Sequence, residues 1–164
     1  MTSETPPPPI TSKAEFGAAV LWALQASVAA GARRVVWVDP DFADWPLDMP
    51  ELQETLTAWL RLPGRRLVLL ASDFGGVPRQ HPRFVVWRRL WAHAVEAWSP
   101  ADGAAGDLPT LALDDGTISV HVIDVQRWRG KVSDDPRAAR IWRDQIDAIL
   151  QRCEAAFPVN TLGL

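Results

Sequence analysis

The sequence predicts a single α/β domain, a mixed β-sheet with helices on its faces that closes on a C-terminal hairpin and helix. Three observations predict it. Val35-Val36-Trp37-Val38 and Val68-Leu69-Leu70-Ala71 are short, continuous apolar runs of strand length, the pattern of strands buried on both faces. Apolar residues at helical spacing precede and separate these runs, the alternation expected of helices packed on a sheet. Leu108 to Leu113 and Thr117 to Ile123 flank Asp114-Asp115-Gly116, and an Asp-Gly turn between two apolar runs is a strong local signal for a β-hairpin.

Residues 1–11 are polar and carry four consecutive prolines, so they are expected to form a disordered tail, with residues 12–164 as one domain. Ser12 with Glu15 three positions later has capping-box spacing, and Phe16, Val20, Leu24 and Val28 follow at four-residue steps to a stop at Gly31. The first strand ends at Asp39-Pro40-Asp41. Asp48 is placed to cap a second helix that carries Pro50 in its first turn and turns Leu52, Leu56, Trp59 and Leu60 inward until Pro63-Gly64. After the second strand, Asp73-Phe74-Gly75-Gly76 reads as a loop, and Pro82 to Ala92 as a short helix with Phe84, Trp87 and Trp91 on one side. Val95 to Trp98 reads as a third strand and Ser99 to Asp107 as a flexible connection. The last helix starts near Asp134-Asp135-Pro136, with Ala138, Ile141, Trp142, Ile146, Ile149 and Leu150 as its buried stripe. Arg140 with Asp144 and Arg143 with Asp147 have the four-residue spacing of ion pairs on its wet face.

Composition narrows the function classes. Seventeen Lys plus Arg against 20 Asp plus Glu leave a net charge of -3, so there is no global basic footprint for nucleic acid. Cys153 is the only cysteine, which excludes an intrachain disulfide and a Cys-rich zinc site. No run of 18 apolar residues suggests a membrane span, and the N-terminus has neither a basic start nor an apolar core of the secretory type, so a cytoplasmic location is expected. Nine Trp and no Tyr is an unusual aromatic balance, and some of these indoles are expected at a surface that something covers.

The strings Arg34-Val35-Val36-Trp37-Val38-Asp39-Pro40-Asp41, Asp115-Gly116 and Phe157-Pro158, together with the order of elements from Arg34 to Arg152, resemble one half of the phospholipase D-like fold. The resemblance is closest to a proteobacterial family of isolated phospholipase D-like domains that lack the catalytic motif. In active members a hairpin carries His-x-Lys-x4-Asp. If Asp115 takes the place of the motif Asp, Leu108 stands where the nucleophilic His belongs and Thr110 where the phosphate-binding Lys belongs. Attack on a phosphodiester needs an imidazole nucleophile and a cation for the nonbridging oxygens, and these residues supply neither. The resemblance therefore implies a non-catalytic binding or interaction domain with no catalytic residue, metal or cofactor assigned. It also implies a homodimer, since phospholipase D-like halves bury one face against a partner half; Trp98, Trp128 and Trp142 are its expected contributors, and a different protein partner is the other possibility.

A second function reading rests on Asp39 and Asp41. This D-x-D pair after a first strand resembles the haloacid dehalogenase-type phosphohydrolases, in which such carboxylates bind Mg2+ and attack a phosphoryl group, with Asp73 as the third acid. Ala43 where that family keeps Thr, the lack of a Lys between Asp73 and Asp115, and a helix ahead of the first strand all argue against it. The competing account is a solvated turn beside Pro40. Arg79, His81, Arg83, Arg88 and Arg89 lie in a stretch without acids, so a phosphate-bearing ligand or acidic partner is conceivable there. A solvated face on a Trp-anchored helix is the plainer reading, and nucleic-acid binding is the weakest. His121 and Asp124 point to opposite sides of a regular strand, so a dyad needs a bulge, and His121 is expected to be partly buried and bonded to a backbone group. Gly75-Gly76 permits a tight turn, and Cys153 reads as a small apolar residue of the last helix.

Overall fold

The computed structural model describes residues 7–101 and 108–158. Ser12 accepts the backbone N–H of Glu15 at 3.1 Å and starts α1 (Lys13–Ala29), whose C-cap Ala30 is followed by Gly31 at φ +80°. The Glu15 carboxylate reaches back to Thr11 rather than to Ser12, accepting its backbone N–H at 2.7 Å and its hydroxyl. Strand β1 (Arg34–Val38) follows, then α2 (Pro50–Leu60), β2 (Arg66–Leu70), α3 (Val77–Gln80), α4 (Pro82–Leu90), β3 (Val95–Pro100), β4 (Thr110–Asp114), β5 (Ser119–Asp124), β6 (Arg129–Ser133), α5 (Pro136–Leu150) and β7 (Cys153–Ala155). The strands form one seven-stranded sheet in the order β6-β5-β4-β1-β2-β3-β7. β1, β2 and β3 are parallel to one another, and each of the remaining strands runs antiparallel to its neighbour.

Period-two alternation divides the apolar runs between two cores. Val35, Trp37, Leu67 and Leu69 face α1, α2 and α4, where Phe16, Leu24, Leu52, Trp59 and Phe84 are buried. Val36, Val38, Val68 and Leu70 face the other way, onto Ile146 of α5 with Trp142, Ile149 and Leu150 beside it. The hairpin turns at Asp114-Asp115-Gly116 as expected, with the Asp114 carboxylate accepting the N–H groups of Gly116 and Ile118 at 2.8 and 3.1 Å.

Several expectations need correction. The tail stops short of residue 11, because Ile10 is buried and bridges Gly130 of β6. Gly130 fits there because a Cβ would lie 2.7 Å from the His121 carbonyl oxygen, too close for any side chain. Part of the expected 99–107 connection, residues 102–107, lies outside the described residues, and β3 extends into its start. Asp48 does not cap α2, whose N-cap is Met49 without a side-chain bond. Its carboxylate instead accepts the N–H groups of Arg83 and Phe84, at 3.3 and 2.8 Å, and so caps α4 from another part of the chain. On α5, Ile141 is exposed and Ala139 takes its place inside. The expected Arg143–Asp147 pair gives way to longer-range partners: Asp147 meets Arg34 at 3.3 Å, and Arg143 donates to the carbonyls of Gly116 and Asp114 at 2.6 and 3.2 Å. Cys153 belongs to β7, not to the helix, and its thiol donates to Ile149 O at 3.3 Å. The nine Trp are all buried or half-buried within the single chain, so the indole count by itself demands no outside cover.

Candidate functional site

The antiparallel register of β1 with β4 pairs Val38 with Leu111, which brings the next residue of β1's exit, Asp39, to the first residue of β4, Thr110. The Thr110 hydroxyl donates to Asp39 Oδ1 at 2.6 Å. Asp39 Oδ2 accepts the backbone N–H groups of Phe42 at 2.7 Å and Asp41 at 3.1 Å, so three donors hold a carboxylate that is only 8% exposed. Desolvation raises its pKa above the ordinary value, and the hydrogen bonds pull the other way. The same loop holds a buried Phe42 at φ +59°, a left-handed conformation that costs a bulky residue energy unless its surroundings fix it. Two bonds fix it, one on each side of the residue. Asp39 takes its N–H, and His81 Nε2–H donates to its carbonyl at 2.7 Å.

A cavity of about 490 Å3 opens beside this loop, lined by Asp39, Asp41, Asp44, Leu108, His121 and Trp128 among others. Among the described residues no Lys or Arg lines it, and Asp44 reaches out to Lys13 at 3.3 Å. The cavity therefore presents carboxylates and apolar surface, a poor setting for a phosphate. Trp128, at φ +55°, sets its ring 5.3 Å from that of Phe16 on one wall. At the rim Ile123 is 69% exposed and Val125 is 46% exposed.

The structure gathers only some of the residues singled out by sequence. Asp39, Asp41, Leu108 and Thr110 share the cavity, and Leu108 and Thr110 are both buried. Asp115 stands a strand's length away, since its neighbour Asp114 pairs with Val35 at the start of β1; its carboxylate accepts the Arg33 N–H at 3.2 and 3.3 Å. Asp73 is tied to the same loop through its backbone N–H, which donates to Pro40 O at 3.1 Å, but its carboxylate turns back to the Gly75 N–H at 2.7 Å. Among the described residues no three His, Cys, Asp or Glu side chains come close enough to hold a metal ion together, which leaves the Mg2+ reading of Asp39, Asp41 and Asp73 without a ligand set.

Arg79, Arg83 and Arg89 are exposed, whereas Arg88 is buried on α4, contrary to the reading of this helix face as solvated. Helical spacing carried the signal, because Phe84, Trp87 and Arg88 stand at i, i+3 and i+4 and fall on one face. His121 and Asp124 remain apart even though the strand is irregular between Val122 and Asp124. His121 packs its ring 4.6 Å from Trp142, not on a backbone group, and burial lowers its pKa. Asp124 accepts the N–H groups of Gln126 and Arg127 in the following turn, and the Arg127 guanidinium at 2.9 Å.

Comparison with known proteins gives structural matches and no sequence family. No protein-family model matches the chain, and no curated protein matches it in sequence. Nuc from Salmonella typhimurium, a phospholipase D family member, superposes at a TM-score of 0.54 with 9% identity over 86% of this chain and 90% of its own. Phosphatidylserine synthase from Haemophilus influenzae reaches 0.58 with 14% identity over 95% of this chain and 40% of its own. TrmBL2, an archaeal chromatin protein with a novel mode of DNA binding, reaches 0.62 with 12% identity over 94% of this chain and 56% of its own. The chain thus spans little more than half of TrmBL2 and less than half of the synthase. With its mixed seven-stranded sheet and flanking helices, it is a single α/β domain of phospholipase D-like fold.

Proposed function

We propose that this is a non-catalytic binding domain built on a phospholipase D-like scaffold. One observation carries the reading: where the resemblance places the His and Lys of an active hairpin, Leu108 and Thr110 are buried, and Thr110 is engaged with the carboxylate of Asp39. A transferring phosphoryl group needs a nucleophile and cations aimed at its oxygens. This cavity offers Asp39, Asp41 and Asp44 instead, and like charge opposes the substrate before any chemistry begins. The purified chain is expected to hydrolyse neither bis(p-nitrophenyl) phosphate nor DNA above background, with or without Mg2+. Turnover that survives Asp39→Asn and disappears with Asp115→Asn would refute this reading and restore a phospholipase D-like site. Mg2+-dependent turnover abolished by Asp39→Asn would favour the haloacid dehalogenase-type alternative.

A homodimer is the second element of the proposal. The apolar rim formed by Ile123 and Val125 supports it, because these two exposed apolar side chains lie together at the cavity mouth, where a second copy would cover them.

A further inference from the structure

Arg88 presents a physical problem that the Asp39 cavity does not share. The side chain is 5% exposed. Its guanidinium lies over the Phe157 ring, with Cζ 4.3 Å from the ring centre, and one terminal nitrogen donates to the Phe157 carbonyl. Its Nε–H is buried with no acceptor. Among the described residues no carboxylate pairs with it, and burial alone lowers its pKa to about 10. A cation taken out of water with one neutral acceptor, one ring face and an unsatisfied N–H is an expense that folding by itself does not reward.

The surroundings of that guanidinium form a receptor. A cavity of about 540 Å3, sharing no lining residue with the Asp39 cavity, is walled by Phe74, Pro78, Val85, Phe157, Arg88 and Arg89 among others. Its surface is almost wholly apolar, and among the described residues its only charged side chains are the two arginines. The Phe74 and Phe157 rings are stacked, 5.2 Å apart and 5° from parallel, and Phe157 is held at φ +50°. An apolar slot of this kind accepts a hydrocarbon or aryl body. A planar guanidinium with spare donors accepts a carboxylate, through charge-assisted bonds strengthened by the low polarity around them.

We propose that the cavity between α4 and the Phe157-Pro158 segment binds an organic carboxylate, its apolar body against Phe74, Val85 and Phe157 and its carboxylate on Arg88 with Arg89 assisting. Such a ligand supplies the countercharge that no carboxylate among the described residues gives Arg88, and it covers the apolar wall.

Calorimetric titration of the full chain with decanoate, and with the uncharged 1-decanol as its comparison, tests the assignment. Decanoate is expected to bind with a stoichiometry of one, at least about tenfold tighter than decanol, the factor that one charge-assisted bond of modest strength confers. Arg88→Gln is expected to remove this preference and Arg89→Gln to reduce it. Because Arg88→Gln risks the fold, Val85→Trp provides a second variant: it keeps both arginines, fills the slot, and is expected to abolish decanoate binding while the far-ultraviolet circular dichroism stays that of the parent. Equal affinity for decanoate and decanol, several equivalents bound per chain, binding unaltered by Val85→Trp, or no heat from decanoate at millimolar concentration would each overturn the proposal.

Discussion

Thr110 and Asp39 are 71 residues apart in sequence, yet the hydroxyl of one donates to the carboxylate of the other at 2.6 Å inside the protein. This single bond joins the start of the hairpin to the exit of the first strand. Its first consequence is energetic. Thr110→Val keeps the shape of the residue and removes one of three donors to a buried carboxylate, at a cost of about 1–3 kcal/mol. Urea denaturation at neutral pH is expected to show the midpoint lowered accordingly, with Thr110→Ser retaining most of the stability. A midpoint unchanged in Thr110→Val would show that the bond contributes nothing to the fold.

Asp39 also gives the stability of the domain a pH dependence of definite sign. Its folded pKa is raised above 3.8, chiefly by desolvation, so the folded chain holds this proton more tightly than the unfolded chain does. The associated stability is fully present below pH 3.8 and is lost as the pH rises through the folded value. Asp39→Asn cannot titrate. Measured by thermal melting between pH 3.5 and 7, the stability of Asp39→Asn relative to the parent is expected to rise as the pH increases from about the unperturbed Asp value. A difference that stays flat or falls over that range would show that hydrogen bonding, not desolvation, governs this carboxylate.

Asp48 stabilises α4 although it lies 35 and 36 residues before its two bonding partners. α4 has no side-chain cap of its own, and Pro82 at its first position leaves the N–H groups of Arg83 and Phe84 as the donors to be satisfied. Asp48→Ala is expected to destabilise the protein by about 0.5–2 kcal/mol, the range for loss of an N-cap, and Asp48→Asn by less. Hydrogen exchange locates the effect: the amides of Arg83 and Phe84 should lose protection first. Protection lost instead at the start of α2 would mean that Asp48 acts on its neighbouring helix after all.

Legibility in the sequence followed the length and regularity of each element. β1, β2 and the hairpin were readable because their apolar runs and turn residues are local signals, and α1 because Ser12 and the four-residue steps agree. β6 has no such signal. Arg129-Gly130-Lys131-Val132-Ser133 contains one large apolar residue and owes its strand to pairing with β5 and to the space that Gly130 leaves for the His121 carbonyl. β7, three residues on the sheet edge, is likewise made by its partner β3. At the candidate site, Asp39 and Thr110 were each identifiable by motif, but their bond follows from the β1 to β4 register, which no local string encodes. Asp48 shows the same limit, since a capping residue beside one helix was free to serve another. Arg88 was misread for a different reason. Charge suggested solvent, although its spacing from Phe84 already placed it on the buried face.

Self-association is the prediction with the widest consequence for the proposed function. In the single chain Ile123 and Val125 are exposed at the mouth of the Asp39 cavity, while Trp98, Trp128 and Trp142 are half-buried against the two cores. The apolar rim, rather than the Trp content, is therefore what a partner would cover. An isologous pairing about a twofold axis brings two such rims together and is the commonest closed arrangement for identical chains. Interfaces of this kind place apolar residues at the centre and polar ones around them, and Asp41 and Asp44 beside the rim would stand at the wet margin. Sedimentation equilibrium at micromolar concentrations is expected to give a mass rising from 18.1 kDa toward twice that value. Ile123→Arg, which places a charge on an already exposed position, is expected to return the mass to that of the single chain without lowering the melting temperature of the monomer. A single 18.1 kDa species at every concentration would refute the dimer, and association unaffected by Ile123→Arg would place the interface elsewhere.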